Sequence, residues 1–318
     1  MLVVENLVKK YGKFKAVDNL SMEIKDGHIY GFVGSNGAGK TTTMRVIAGL
    51  LKATSGRVSV GGVDINSDPE GVKARIGYMP DFFGVYDDLK VDEYMDFYAG
   101  VYSIPKNKRS EMTEQLIELV NLQDKKDSYV DTLSRGMKQR LCLARSLIHD
   151  PELLILDEPA SGLDPGARVE MKEILKELKN MGKTVLISSH ILSELSEICT
   201  SIGIIDYGKM IASGPVADIL QKASYNRVIR VKVIENLEGA IRFLKEQPCI
   251  GGITASGEHI DADFNGSEQE LADILKTMVG NGIPIISFTE LEKNLESAFM
   301  NLIRENGGLE NNVEKSGN

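Results

Sequence analysis

Residues 34–41 read Gly-Ser-Asn-Gly-Ala-Gly-Lys-Thr, and residues 29–33 ahead of them form the apolar run Ile-Tyr-Gly-Phe-Val. The spacing is GxxxxGK followed by Ser or Thr. Between a strand and a helix that opens near Lys40, this spacing forms a phosphate-binding loop. Its glycines let backbone N–H groups turn onto phosphate oxygens, where the helix N-terminus favours negative charge. The alternative is a glycine-rich turn that matches by chance. We therefore predict a nucleotide-phosphate site within an α/β fold.

Two side chains of this loop have predicted roles of their own. Lys40 reaches the β and γ phosphates, and Thr41 places its hydroxyl on Mg²⁺. A nucleotide with β and γ phosphates and Mg²⁺ are accordingly the predicted ligands of this loop. The residues predicted to bind the nucleotide at this loop are Gly34, Ser35, Asn36, Gly37, Ala38, Gly39, Lys40, Thr41 and Thr42.

A second apolar run, residues 153–156, ends in the adjacent carboxylates Asp157 and Glu158. A buried strand of this kind places both at the carboxyl edge of a parallel sheet, beside the phosphate loop. Asp157 is predicted to hold the metal, and Glu158 to polarise the attacking water as general base. The alternative is that these residues cap a following helix, since Asp and Glu are also found there.

Short continuous apolar runs at 29–33, 153–156 and 184–187 predict strands buried on both faces, as in a mainly parallel sheet covered by helices. Between them, from about residue 89 to residue 149, apolar residues recur at helical spacing and predict a helical subdomain. The alternating pattern continues to about residue 214. We therefore expect a first domain at 1–214.

A second unit follows Gly214-Pro215. Its pattern predicts the order βαββαβ, a small α+β sandwich of the ferredoxin-like kind, over residues 215–303. Ser267 and Glu270 fit a capping box at the start of its second helix. From residue 304 to residue 318, Gly, Asn and Glu dominate, which predicts a disordered tail.

Further motifs resemble one known family. Residues 133–140, Leu-Ser-Arg-Gly-Met-Lys-Gln-Arg, look like the signature motif of the ABC ATPases. Residues 161–164, Ser-Gly-Leu-Asp, resemble that family's D-loop, and His190 after Ser188-Ser189 resembles its switch histidine. Tyr11 matches the aromatic residue that stacks on adenine. Together with the phosphate loop, these motifs cover residues 1 to about 214 in the family's order.

The resemblance implies roles for these residues. A head-to-tail dimer would close each signature helix, opened by Ser134 and Gly136, on the γ-phosphate held by the other protomer. Asp164 would belong to the nucleotide site, and His190 would contact the γ-phosphate or the water as a second catalytic residue. Other roles remain open: Ser134 as an ordinary helix N-cap, His190 as a core histidine, and Tyr11 as a surface aromatic.

One position departs from the family pattern. Where a glutamine usually follows Gly-Tyr-x-Pro, residues 77–80 lead into Asp81. A carboxylate can approach Mg²⁺ through water, because oxygen ligands suit that ion. Asp81 is therefore the third predicted metal residue, after Thr41 and Asp157, although its shorter, charged side chain leaves direct coordination open.

Composition limits the class of partner. The chain has 318 residues and a formal net charge of −9, so it is a poor counter-ion for a phosphate backbone and nucleic acid is disfavoured. Its apolar runs are far shorter than the ~18 residues of a membrane helix. The cysteines at 142, 199 and 249 lie too far apart for metal-ligand spacing and predict small buried residues in a reducing compartment.

The predicted function is an ATP-hydrolysing subunit of an ABC transporter, dimeric on ATP binding. It would be cytoplasmic and would lie on the inner face of the membrane through a separate integral membrane subunit. Residues 295–302, Leu-Glu-Ser-Ala-Phe-Met-Asn-Leu, resemble the terminal helix of the drug- and antibiotic-exporter branch, which implies export; an amphipathic helix covering a sandwich is the alternative. The alternative function is a soluble ABC ATPase in nucleic-acid repair or translation.

Overall fold

The computed structural model describes residues 1–82, 84, 86, 88–189, 195, 197–223 and 227–290, with the side chains of 220–223 left aside. Within these residues the chain divides into two compact units between Val216 and Ala217. The predicted switch residue His190, the predicted helix at 295–302 and the predicted disordered tail lie outside the described residues.

The first unit combines two sheets. Its strands are β1 (Leu2–Tyr11), β2 (Phe14–Ile24), β3 (Ile29–Val33), β4 (Ser55–Val60), β5 (Val63–Asp64), β6 (Ile76–Met79), β7 (Leu153–Leu156), β8 (Thr184–Ser189), β9 (Ser201–Asp206) and β10 (Lys209–Pro215). The order β2-β1-β4-β5 makes an antiparallel sheet, and β10-β9-β3-β8-β7-β6 makes the central sheet. The central sheet is parallel except for the edge strand β10, which runs antiparallel to β9. The predicted parallel sheet is confirmed.

The central strands are covered on both faces, as their unbroken apolar sequences predict. Every residue of β3, β7 and β8 is buried. In-register pairing brings their carboxyl ends to one edge, with Val33 opposite Ser189 and Leu156 opposite Ile187. The phosphate loop after β3 and the Asp157-Glu158 pair after β7 therefore leave the sheet on the same side.

The described α-helices of the first unit include α1 (Lys40–Ile47), α2 (Pro69–Ala74), α3 (Val91–Val101), α4 (Lys106–Leu119), α5 (Arg135–Leu147) and α6 (Pro165–Asn180). Asp68 caps α2 and Asp164 caps α6, and each is followed by a proline at the first helical position. The predicted helical stretch from 89 to 149 contains α3, α4 and α5.

The second unit has its own core. After α7 (Val216–Ala223) come β11 (Arg227–Val233), α8 (Leu237–Lys245), β12 (Ile250–Ser256), β13 (His259–Phe264), α9 (Glu268–Gly280) and β14 (Ile285–Glu290). The antiparallel sheet order β12-β13-β11-β14 and the two helices give the predicted βαββαβ sandwich. Side chains such as Val231, Ile260 and Phe264 are completely buried against helix residues that include Leu244 and Met278.

Two local predictions have clear outcomes. The capping box at Ser267 is present, because its hydroxyl accepts from the Glu270 N–H while the Glu270 carboxylate accepts from the Ser267 N–H. The prediction of three buried cysteines was wrong for Cys249, which is only half-buried at the edge of the sandwich core, whereas Cys142 and Cys199 are buried. In the described part of the chain, no helix has the length and apolar character needed to cross a bilayer.

Candidate active site

A polar cleft of about 470 Å³ opens at the carboxyl edge of the central sheet. Such an edge is where open α/β sheets bind their ligands. Most of the residues predicted to bind a nucleotide meet there. The cleft is lined by Tyr11, Phe14, Ala16, Ser35, Asn36, Gly37, Gly39, Lys40, Thr41, Thr42, Asp81, Glu158 and Ser161.

Lys40 is buried at the floor of the cleft, where its ammonium group is already held in place. Its Nζ donates to the backbone carbonyls of Gly34 at 2.7 Å and Ser35 at 3.3 Å. The carboxylate of Glu158 lies 3.5 Å from the same Nζ. A cation fixed by its own loop in this way is pre-organised for an incoming anion, because little side-chain entropy remains to be lost.

The loop conformation depends on glycine at Gly39, the residue before α1. Its φ is +106°, and a Cβ there would lie 2.4 Å from the carbonyl oxygen of Ala16. Only glycine fits such a conformation and such an approach. Ala38, by contrast, is buried in the hydrophobic core beneath the loop. It therefore contributes its backbone, and not its side chain, to the predicted nucleotide site.

Asp157 lies behind Thr41 at the end of β7. Its Oδ1 accepts hydrogen bonds from the hydroxyls of Ser188 at 2.7 Å and Thr41 at 3.3 Å. Its Oδ2 is buried and has no hydrogen-bond partner in the described part of the chain. Burial raises the pKa of Asp157, the charges of Asp81 and Glu158 add to the rise, and the two hydroxyl bonds oppose it. A buried carboxylate with one free oxygen suits a bound cation.

Glu158 adopts a left-handed backbone conformation with φ of +51°. This conformation is uncommon for a non-glycine residue and persists only where the surroundings enforce it. Here the Glu158 N–H donates to the Ser188 hydroxyl at 2.8 Å, and the Glu158 carbonyl accepts from the Ser161 N–H at 3.0 Å. The prediction that Glu158 lies beside the phosphate loop agrees with its distance to Lys40. The alternative of a helix cap fails, because α6 begins later and is capped by Asp164.

Two weaker predictions also fall at this cleft. Asp81 is exposed at its rim, and its negative charge reaches Asp157 strongly enough to raise that residue's pKa. Tyr11 lies at the end of β1 with half of its side chain exposed, and the Lys9 ammonium lies 5.1 Å from the centre of its ring. Both an adenine platform and a surface aromatic remain compatible with that exposure.

The signature residues do not line the chain's own cleft. Ser134 caps α5, where its hydroxyl accepts from the Met137 N–H at 3.3 Å. Gly136 is buried in the first turn of that helix, and Asp164 accepts from the Ala167 N–H at 2.9 Å. The capping role that the sequence left open for Ser134 is therefore observed in the single chain.

Several residues that line the cleft or hydrogen-bond to its residues were not predicted from the sequence. Ser188, two residues before the predicted switch residue His190, hydrogen-bonds to both Asp157 and Glu158. Asp206, at the end of β9, accepts from the Ser35 hydroxyl at 3.4 Å. The sequence contains a pattern that predicts Asp206 as a site residue, because an apolar strand ends in this aspartate just as residues 153–156 end in Asp157. Phe14 and Ala16 carry no such signal, because backbone packing alone brings them to the cleft, whereas Ser161 belongs to the 161–164 segment that resembles the D-loop.

Comparisons with known proteins identify the family. The family model described as ABC transporter matches residues 17–161. The linearmycin resistance ATP-binding protein LnrL of Bacillus subtilis (strain 168) is 33% identical over 304 residues, which cover 95% of this chain and 98% of that protein. This chain belongs to the ABC transporter ATP-binding family. The bacitracin transport ATP-binding protein BcrA of Bacillus licheniformis is 37% identical over 94% of this chain and 95% of its own length.

The solved structures match a smaller part. An ATP-binding subunit of an ABC transporter is 28% identical with a TM-score of 0.64, and it covers 70% of this chain but 93% of its own. A cassette solved in its ADP conformation is 27% identical with a TM-score of 0.61. These structures therefore correspond to the ATPase unit, whereas the matches to LnrL and BcrA extend well into the second unit. The chain is an ATP-binding, ATP-hydrolysing ABC ATPase, and the relatives give no support to the alternative in nucleic-acid repair or translation.

Proposed function

We propose that this chain powers export of an antibiotic or similar compound through a separate membrane subunit. The names of the two relatives, which refer to linearmycin resistance and bacitracin transport, support that substrate class. The observation that carries the catalytic part is the convergence of Lys40, Thr41, Asp157 and Glu158 on one cleft. Hydrolysis of ATP at this cleft would supply the energy for transport.

Each residue has a distinct task in hydrolysis. Backbone N–H groups from Ser35 to Thr42 hold the phosphates at the N-terminus of α1. Lys40, held by its loop carbonyls, binds the β and γ phosphates, and its ion pair with Glu158 is then broken. The freed Glu158 carboxylate accepts a proton from the attacking water. The left-handed backbone at Glu158 fixes the direction from which it acts.

The residues present fit Mg²⁺. Asp157 has a buried oxygen without a partner in the described chain, next to the hydroxyl of Thr41. Oxygen ligands of this kind are those that Mg²⁺ prefers, alongside substrate phosphates. We assign Thr41 and Asp157 as its ligands and Asp81 as a residue that approaches it through water. The ion would neutralise charge that develops on the phosphates.

A dimer would complete the site. Ser134 and Gly136 begin α5 at an N-terminus that favours anions, yet they lie away from the chain's own cleft. This arrangement supports closure of α5 on a γ-phosphate held by a second copy, with Asp164 at the same interface. The membrane subunit would then be driven by closure and reopening of the dimer, and the chain would lie on the inner face of the membrane.

The test compares two variants with a matched control. Glu158→Gln should slow ATP hydrolysis by ~10²–10⁴-fold while it retains ATP binding, because only the general base is lost. Lys40→Ala should weaken binding itself, since it deletes the phosphate-binding charge. Glu173→Gln, on the exposed face of α6, makes the same chemical change away from the cleft and should leave both unchanged.

Turnover is measured by phosphate release and binding by titration with a fluorescent ATP analogue. Wild-type turnover in Glu158→Gln would remove Glu158 from the mechanism, and wild-type affinity in Lys40→Ala would contradict the phosphate-loop assignment. Isolation of the chain from detergent-solubilised membranes should recover an integral membrane subunit. Recovery of the chain without any integral membrane protein would contradict the transport proposal.

A further inference from the structure

The turn between β9 and β10 packs directly against the phosphate loop. The Gly208 N–H donates to the carbonyl of Ala38 at 2.9 Å, and a Cβ at Gly34 would lie 2.4 Å from the carbonyl oxygen of Ile205. The same turn is tied to the other wall of the cleft, because the carbonyl of Gly208 accepts from the Asp18 N–H at 2.8 Å. The phosphate loop therefore rests on this turn over several residues.

Asp206 brings a negative charge to this contact. Asp206 is 9% exposed, and its Oδ1 accepts a hydrogen bond from the Ser35 hydroxyl at 3.4 Å. In the described part of the chain no ion pair to Asp206 occurs within 4.0 Å. Burial raises the pKa of Asp206, while bonds from Ser35 and from the Tyr207 backbone favour the ionised carboxylate.

The negative charge of Asp206 lies next to a residue of the phosphate loop. Ser35 lines the cleft, and its carbonyl accepts from the Lys40 ammonium at 3.3 Å. Asp206 is thus one hydrogen bond away from a residue that lines the cleft in which the phosphates are proposed to bind. A like charge at such a distance repels phosphate, and the repulsion is weakly screened because water is largely excluded from Asp206.

We propose that Asp206 lowers the affinity of this site for nucleotide and thereby speeds release of ADP. This proposal rests on the proposed phosphate site, for which Asp206 would position Ser35 and set the affinity for nucleotide. Asp206 fixes Ser35 through the hydrogen bond and opposes phosphate through its charge. The two effects are separable, because the amide of asparagine keeps a hydrogen-bond acceptor for Ser35 and removes the charge.

The experiment measures ATP and ADP dissociation constants of the full-length protein by calorimetry, with EDTA present so that no hydrolysis occurs. Asp206→Asn should tighten ATP binding by about tenfold, the scale of one weakly screened like charge, and ADP binding by less because ADP carries less charge. Dissociation of fluorescent ADP should slow accordingly, since affinity changes at one site fall mostly on the dissociation rate. Ser35→Ala removes the hydrogen bond and keeps the charge, so it should not tighten the binding of either nucleotide.

Asp273→Asn, at an exposed position on α9 of the second unit, removes the same charge elsewhere and should change nothing. Asp206→Ser also removes the charge, and it replaces the asparagine variant if that one is less stable in thermal melts. Unchanged or weaker ATP binding in the folded, uncharged variant would overturn the proposal. Failure of the wild-type protein to bind ATP would instead contradict the phosphate site itself.

Discussion

At the scale of single residues, one hydroxyl holds both Asp157 and Glu158 at the end of β7. Ser188 donates to Asp157 Oδ1 and accepts from the Glu158 N–H, so it contacts both the predicted metal ligand and the predicted base. Losing it removes the hydrogen bond that lowers the pKa of Asp157 and the one that the Glu158 N–H donates. We therefore propose that Ser188 positions these two residues for hydrolysis.

We expect Ser188→Ala to reduce ATP turnover by ~10-fold or more, because the left-handed backbone of Glu158 loses its side-chain anchor. ATP affinity should remain within about threefold, since Lys40 and the loop are untouched. Ser146→Ala removes a comparably buried hydroxyl, which donates to the Leu143 carbonyl at 2.7 Å. Both variants should lose about 1 kcal/mol in urea unfolding, and equal turnover in the two would exclude a positioning role for Ser188.

His149 gives the ATPase unit a pH-dependent stability. Its Nε2 lies 3.0 Å from the carbonyl of Ile76, its ring stacks on Tyr102 at 4.1 Å, and its buried Nδ1 has no partner in the described residues. Burial lowers the pKa of His149 below its ordinary value, although the Ile76 bond and Asp150 oppose the shift. The neutral ring is the form that fits.

Because the folded pKa is the lower one, the unfolded chain binds more protons below neutral pH. Stability from His149 is therefore complete above the unfolded pKa of ~6.5 and falls as pH decreases through it. His149→Phe keeps the stacked ring and should flatten the stability curve between about pH 7 and pH 5. Urea unfolding at several pH values measures this, and an equally steep fall in the variant would assign the dependence to other groups.

At the scale of elements, α5 and α6 meet through a glycine. A Cβ on Gly136 would lie 2.8 Å from the Cβ of Ala167, whereas a Cβ on Gly280 of α9 would meet nothing within 4 Å. Gln139 of α5 also donates to the carbonyl of Ser161, which lines the cleft. The start of α5 is therefore fixed to the segment that follows Glu158.

Gly136→Ala should destabilise the protein by about 1–3 kcal/mol, because the helices must separate to admit the methyl group. Gly280→Ala makes the same substitution without a contact and should be neutral or stabilising by up to about 1 kcal/mol through helix propensity. Thermal and urea unfolding of both variants provide the comparison. A stable Gly136→Ala protein would show that α5 and α6 separate at no cost.

At the scale of the whole molecule, every described residue that lines the cleft belongs to the first unit. The second unit buries its own core between its sheet and its helices. We therefore expect the 1–216 fragment to fold and to bind ATP within about threefold of the full-length affinity. Calorimetry with ATP measures this, and loss of binding in a folded fragment would show that the second unit supports the site.

The second unit could still affect assembly. If the second units of two chains bind each other, they would raise the local concentration of one ATPase unit near the other. In a Glu158→Gln background, the fragment should then form less ATP-dependent dimer than the full-length chain. Size-exclusion chromatography with ATP and Mg²⁺ compares them, and equal dimer fractions would assign the second unit another role.

The sequence by itself determined those features whose physical cause is local. Backbone turns at glycines and a lysine at fixed spacing produce the phosphate loop, continuous apolar runs produce buried strands, and Ser267 with Glu270 produces a helix cap within four residues. The βαββαβ order was predictable for the same reason, because periodicity reports which face of each element is buried. Cys249 was not, since burial at the edge of a core depends on what the rest of the chain covers.

Only the tertiary structure decided which side chains meet. Ser188 reaches Asp157 across 31 residues, and Asp206 reaches Ser35 across 171. Both contacts depend on strand order and register, and a shift of one residue in β8 or β9 would turn these side chains to the opposite face. The left-handed backbone of Glu158 has the same origin, because it is held by Ser188 from a neighbouring strand. Register arises from packing over the whole sheet, so no local stretch of sequence contains it.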